Sequence, residues 1–142
     1  MKGYRISIVS SLVFLFLSAI FHSLSFFAKP EPANDSERQL LDLMNNYQMD
    51  MGAGFVRTFH EIFLSVSACF TLICLFGGIL LFYLFKCNLT KQVMTGVLNI
   101  YCFIFGIAFI VMLVFTFLPP IVCIGFVFIS LISTRYFSKD IV

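Results

Sequence analysis

Charge is scarce in this chain of 142 residues: 11% of the side chains are charged, whereas 61% are hydrophobic and 20 are phenylalanine. So few polar groups could not cover a water-soluble globule of this size. The charges also fall almost entirely outside four long apolar runs, at 6–27, 63–85, 93–118 and 121–137. The composition therefore indicates a membrane protein.

Each run approaches or exceeds the roughly 20 residues that a helix needs to cross a bilayer. No strand-like alternation of polar and apolar residues appears in them, and backbone amides in hydrocarbon must be satisfied within their own segment. We therefore predict an all-α membrane protein, a four-transmembrane-helix bundle that forms a single integral membrane domain over residues 1–142.

Two further absences exclude classes of function. The nine basic residues form no clustered patch, so nucleic acid is not an expected partner. No Cys-x-x-Cys pair occurs, and the loop at 28–62 contains no cysteine that an oxidising compartment could join into a disulfide. Neither thiol redox chemistry nor a cysteine-bound metal is expected, and nothing in the sequence calls for a cofactor.

The positions of the basic residues predict the orientation, because cytoplasmic flanks of membrane helices are enriched in Lys and Arg. Three segments that four helices would place on one side contain Lys2, Arg5, Lys86, Lys91, Arg135 and Lys139. The loop at 28–62, where acidic residues outnumber basic ones, would lie on the other side. We therefore predict that both termini are cytoplasmic.

The first apolar run has an alternative interpretation as a cleaved secretory signal, because basic residues precede it. Its apolar stretch is longer than that of a typical signal, and Phe26 and Phe27 make a poor cleavage site before Ala28; a weaker site follows Ser25. We expect retention of this helix, with cleavage as the alternative.

The external loop at 28–62 contains an expected amphipathic helix. Pro30 and Pro32 end the first membrane helix. Ser36 and Gln39 then have capping-box spacing, and apolar residues recur at three- and four-residue intervals at Leu40, Leu43, Met44, Tyr47 and Met51. This stripe should face the lipid interface or the end of the bundle, and Gly52 and Gly54 should end the helix.

Titratable residues near the predicted membrane boundary are the first candidates for a site. His22 lies near the outer end of the first run, and His60 and Glu61 lie at the entry to the second. Two histidines and a carboxylate can bind a divalent metal. However, adjacent residues point about 100° apart on a helix, so His60 and Glu61 do not easily face one ligand. We predict no metal site and no catalytic residue, and treat His22, His60 and Glu61 as candidate ligand-binding residues.

Arg57 and Ser65 complete the candidate ligand-binding set. Arg57 is four residues before Glu61, which favours a salt bridge on one helix face, and its planar guanidinium also suits a lipid phosphate. Ser65 belongs to a group of small residues that predicts a tight packing face and a central position for the second membrane helix.

In the third membrane helix, we expect the side chain of Asn99 to hydrogen-bond a polar partner rather than face lipid.

The segment from Arg57 to Ser67 resembles a motif of small, uncharacterised four-helix bacterial inner-membrane proteins. The motif has an acidic residue, two apolar positions, a variable position, Gly, an apolar residue and Ser. The residues that match it are Glu61, Ile62, Phe63, Leu64, Val66 and Ser67, and Ser65 stands in place of the Gly. The resemblance implies a bacterial cytoplasmic membrane and transfers no activity.

Together these features predict a non-enzymatic integral membrane protein. It would serve as a structural or accessory subunit, or bind lipid or a small apolar ligand, with membrane lipid and a membrane protein as partners. The first alternative is a membrane-embedded enzyme that uses His22, His60 and Glu61. The second is a small multidrug-type transporter, which lacks the expected carboxylate inside a membrane helix.

Overall fold

The computed structural model describes residues 2–28, 30–87 and 89–138. Its helices are α1 (Lys2–Leu24), α2 (Asp35–Asn46), α3 (Phe59–Lys86), α4 (Lys91–Phe115) and α5 (Leu118–Phe137), with short strands β1 (Gln48–Asp50) and β2 (Val56–Thr58) between α2 and α3. Within the described ranges, α1, α3, α4 and α5 are long and apolar enough to cross a membrane. The predicted mainly helical fold with four membrane-length helices is therefore confirmed.

The predicted ranges need correction at their ends. Each long helix begins a few residues before its apolar run, at Lys2, Phe59, Lys91 and Leu118. Polar residues can extend a helix beyond the apolar stretch, and their side chains then lie at the end of the bundle. The amphipathic helix also ends earlier than predicted, at Asn46, and the chain continues into a hairpin.

The hairpin of β1 and β2 was not predicted from the sequence. Its strands pair antiparallel, with Met49 opposite Arg57. The amide of Met51 donates to the carbonyl of Phe55 at 2.9 Å, which closes the turn. Gly52 and Gly54 both adopt positive φ, at 84° and 81°, a conformation that glycine adopts without steric cost. The prediction that these glycines end the amphipathic helix is wrong, because α2 ends at Asn46 and the glycines lie in the turn between two strands.

The four long helices pack antiparallel in the spatial order α3, α1, α5, α4. Contacts such as His22 with Phe70 and Tyr4 with Phe85 show that α1 and α3 run in opposite directions. α1 is the most buried of the four. The prediction that the second membrane helix is the centre is wrong: α3 is an outer helix, and α1 and α5 form the central pair.

Hydroxyl groups lie in the interface of this central pair. The buried hydroxyls of Ser11 on α1 and Thr134 on α5 are 3.0 Å apart. Ser11 also lies within hydrogen-bonding distance of the carbonyl of Ser7, and Thr134 within that of Ser130. Small residues on a membrane helix allow close approach of a neighbour, and their hydroxyls need local partners in apolar surroundings. The serines of α1 therefore explain its central position.

Phenylalanine rings lie against glycines at three of the direct helix interfaces. The pairs are Phe16 against Gly78 between α1 and α3, Phe137 against Gly3 between α5 and α1, and Phe128 against Gly106 and Phe109 against Gly125 between α4 and α5. A Cβ atom at any of these glycines would come within 3.0–3.1 Å of the ring. The missing side chains therefore give the rings their space and let the helices approach.

The consecutive helices α3 and α4 meet through aromatic side chains. The hydroxyl of Tyr101 on α4 donates to the carbonyl of Gly77 on α3 at 2.8 Å. Phe105, one turn further along α4, lies 3.6 Å from the position of a Cβ at Gly77. This hydrogen bond satisfies a buried phenol in the apolar interior.

Candidate functional site

An apolar groove lies between α2 and the start of α3. It has a volume of about 390 Å³ and is lined by Leu40, Leu43, Met44, Tyr47 and Phe59. Leu43 is 60% exposed and Phe59 is 51% exposed, so the groove opens to the surroundings. Four of these residues belong to the stripe predicted from the sequence. We call this feature the α2 groove.

Capping interactions fix the start of α2. The side chain of Asn34 accepts a hydrogen bond from the amide of Glu37 at 2.9 Å, and the Glu37 carboxylate accepts one from the amide of Ala33 at 2.7 Å. The cap predicted at Ser36 is therefore wrong, because the helix begins at Asp35. The polar residues Arg38, Asp42 and Asn45 occupy the face of α2 opposite the groove.

A second cap fixes Phe59 at the first position of α3. Thr58 accepts a hydrogen bond from the amide of Glu61, and the Glu61 carboxylate accepts one from the amide of Thr58 at 2.8 Å. This reciprocal pair is a capping box. Its Thr-x-x-Glu signature was present in the sequence and would have placed the helix start correctly. Phe59 is the groove residue that sequence reasoning missed.

The capping box also changes the interpretation of Arg57 and Glu61. Arg57 lies in β2, before the helix begins, so the spacing argument for a salt bridge on one helix face does not apply. Its guanidinium donates to the carbonyl of Val56 at 2.7 Å. Glu61 directs a carboxylate oxygen to the backbone of Thr58. The carboxylate therefore caps the helix.

His22 is partly buried at the far end of α1. Its ring packs edge-on against Phe70 of α3, with the ring centroids 4.8 Å apart. His60 is exposed at the second position of α3. Phe70 comes ten residues after His60, or about 15 Å of helix rise. The structure therefore separates His22 from His60.

Ser65 does not lie in a helix interface. It is exposed, and its hydroxyl donates to the carbonyl of Glu61 at 2.8 Å. The residues of α3 that are buried are Thr71, Cys74, Gly77, Gly78 and Leu81. The tight interface predicted around Ser65 lies instead further along the helix, where α3 packs on α1.

The structure thus does not bring the candidate enzyme residues into one pocket. Across residues 2–28, 30–87 and 89–138, no three His, Cys, Asp or Glu side chains are grouped to hold a metal ion. Arg57, His60, Glu61 and Ser65 belong to one stretch beside Phe59, at the rim of the bundle. This stretch and the α2 groove form the candidate binding surface.

No family model, curated protein or solved structure matches the chain.

Proposed function

We propose that this is a non-enzymatic integral membrane protein that holds the acyl chain of a membrane lipid in the α2 groove. Its four long helices have large apolar side chains on their outer surfaces; Phe76 is 66% exposed and Phe103 is 69% exposed. A water-soluble protein rarely exposes continuous apolar surface on this scale. Such a surface is stable in contact with the hydrocarbon chains of lipids rather than with water.

The distribution of charge supports an orientation. The described basic residues Lys2, Arg5, Lys86, Lys91 and Arg135 lie at the end of the bundle opposite α2. We call this the basic end. Cytoplasmic flanks carry such an excess of Lys and Arg. We therefore infer that the basic end and both termini face the cytoplasm of a bacterial inner membrane, and that α2 lies at the outer surface.

The residues that line the α2 groove are the reason for proposing an apolar ligand. All five lining side chains are aliphatic, aromatic or thioether, and the volume lies in the range of about 300–1,000 Å³ typical of ligand pockets. An amphipathic helix with such a face lies in the plane of a membrane surface. An acyl chain from the adjacent leaflet is therefore the closest apolar occupant. Arg57, next to the groove wall, is placed to meet the phosphate of the same lipid.

Photo-crosslinking tests this assignment. The purified protein is reconstituted with a phospholipid that carries a diazirine on its acyl chain, and the labelled peptides are identified by mass spectrometry. We expect label on α2 and on the segment around Phe59. Leu43→Asp should abolish this label, because a carboxylate in the groove cannot be solvated by an acyl chain.

Asn45→Asp is the matched control, since it adds the same charge on the opposite face of α2. It should leave the label unchanged. Equal labelling of the wild type and Leu43→Asp would contradict the lipid assignment. A stoichiometric membrane protein recovered on this face, with no lipid label, would replace it by the accessory-subunit function.

A further inference from the structure

A cationic side chain bridges α5 and α4 at the basic end of the bundle. Nε of Arg135, in the last turn of α5, donates to the side-chain oxygen of Asn99 on α4 at 2.6 Å. Nη1 lies 3.4 Å from the hydroxyl oxygen of Ser138. Asn99 thus has the polar partner that its position in a membrane helix predicted. Both contacts of the guanidinium are to neutral groups.

The contact joins the last turn of α5 to an apolar part of α4. Asn99 comes eight residues after Lys91, where α4 begins, which places it about 12 Å along the axis of α4. A guanidinium held against apolar side chains is costly unless its charge is compensated. A neutral amide and a hydroxyl satisfy two of its five N–H donors but supply no negative charge.

The described residues at this end supply no carboxylate. Across residues 2–28, 30–87 and 89–138, every Asp and Glu belongs to the segment between α1 and α3 or to the first turn of α3. The other described charges at the basic end are Lys and Arg. Asp140 lies outside the described residues and enters the test below.

Open space lies beside Asn99. Gly96 precedes it by three residues, so the two positions are neighbours on one face of α4. A Cβ built at Gly96 would meet no atom within 4 Å. Phe103, one turn further from the basic end, is exposed on the same face. The surface therefore has open space at Gly96, which we call the notch, with a hydrogen-bonded cation beside it and an apolar side chain further along α4.

We propose that Arg135 and Asn99 bind the phosphate of an anionic phospholipid that enters through the notch at Gly96. The phosphate accepts from the remaining guanidinium donors and neutralises the charge, while the acyl chains run past Phe103. The proposal rests on the membrane location inferred above, but it concerns the opposite end from the α2 groove.

The test compares phosphatidylglycerol with phosphatidylcholine bound to the intact protein in mild detergent, measured by native mass spectrometry. We expect one phosphatidylglycerol to be retained preferentially. Arg135→Gln should weaken its retention by at least about tenfold, the factor expected for loss of a hydrogen bond to a charged group. Gly96→Leu should weaken it similarly, because it fills the notch without removing charge.

Arg5→Gln is the matched control, since it removes an exposed charge at the same end and should leave retention unchanged. Asp140→Asn should leave retention unchanged or increase it. Inorganic phosphate at equal concentration should not displace the lipid. Unchanged retention in both Arg135→Gln and Gly96→Leu would overturn the proposal, as would displacement by inorganic phosphate. If Arg135→Gln does not fold, the retention of phosphatidylglycerol by Gly96→Leu, compared with the wild type, decides whether the proposal stands.

Discussion

We expect Ile8→Ala to lower the free energy of unfolding by about 2–5 kcal/mol, the range measured for truncation of a large buried side chain. Ile8 has no exposed surface and belongs to the core on α1. Removing its side chain leaves a cavity that neither lipid nor detergent can reach. Reversible unfolding in mixed micelles of mild and denaturing detergent measures the change.

Ile6→Ala is the control for this prediction. Ile6 is 68% exposed on the same helix, and lipid or detergent replaces the contacts that its side chain loses. We expect little change. Equal effects of the two variants would contradict the burial of this face of α1. If neither variant changed the free energy of unfolding, α1 would not be part of the folded unit, as expected for a cleaved signal sequence.

Gly78→Leu should lower the free energy of unfolding by about 1–3 kcal/mol, the usual cost of adding bulk to a packed interface. The first carbon of the new side chain would lie 3.1 Å from the ring of Phe16, and the remaining carbons need space that the ring occupies. α3 would have to move away from α1. The same detergent titration measures the loss.

A second substitution isolates the contact. Phe16→Ala in the Gly78→Leu background removes the ring, so the double variant should recover part of the lost stability, and the two changes should be non-additive. Gly96→Leu adds the same side chain where nothing lies within 4 Å, and it should be nearly neutral. Strict additivity of Gly78→Leu and Phe16→Ala would show that the two positions do not pack together.

The number and approximate position of the long helices could be predicted because a bilayer imposes a minimum apolar length. The apolar stripe of α2 could also be predicted, since it follows from the local periodicity of the sequence. Asn99 was expected to have a polar partner. That partner, Arg135, lies 36 residues further along the chain, and such a pairing depends on tertiary packing.

The order of helices in the bundle could not be read from small residues alone. α3 is rich in them, but so is α1, where Ser7, Ser11 and Ser18 are buried. Serine is small enough for close packing and can bond its hydroxyl to its own helix, as Ser11 can to Ser7. Considering the small residues of α3 without the serines of α1 therefore favoured the wrong centre.

At the candidate site, the sequence predicted the apolar stripe that supplies four lining residues of the α2 groove, but it misassigned the polar residues beside it. Arg57 and Glu61 were placed on one helix because the Thr58 cap was overlooked. With Thr58 as the N-cap of α3, Arg57 belongs to the hairpin and Glu61 to the capping box. Phe59 is then the first residue of α3 and lines the α2 groove.

The most direct measurement of the lipid-binding claim uses a single introduced tryptophan, because the chain has none of its own. Leu43→Trp and Asn45→Trp place the reporter on opposite faces of α2, and each variant is reconstituted in vesicles that contain bromine-labelled acyl chains. We expect blue-shifted emission and strong quenching by bromine at position 43, and red-shifted emission quenched by aqueous iodide at position 45. Equal access of iodide to both positions, with no bromine quenching at position 43, would contradict a groove that holds lipid.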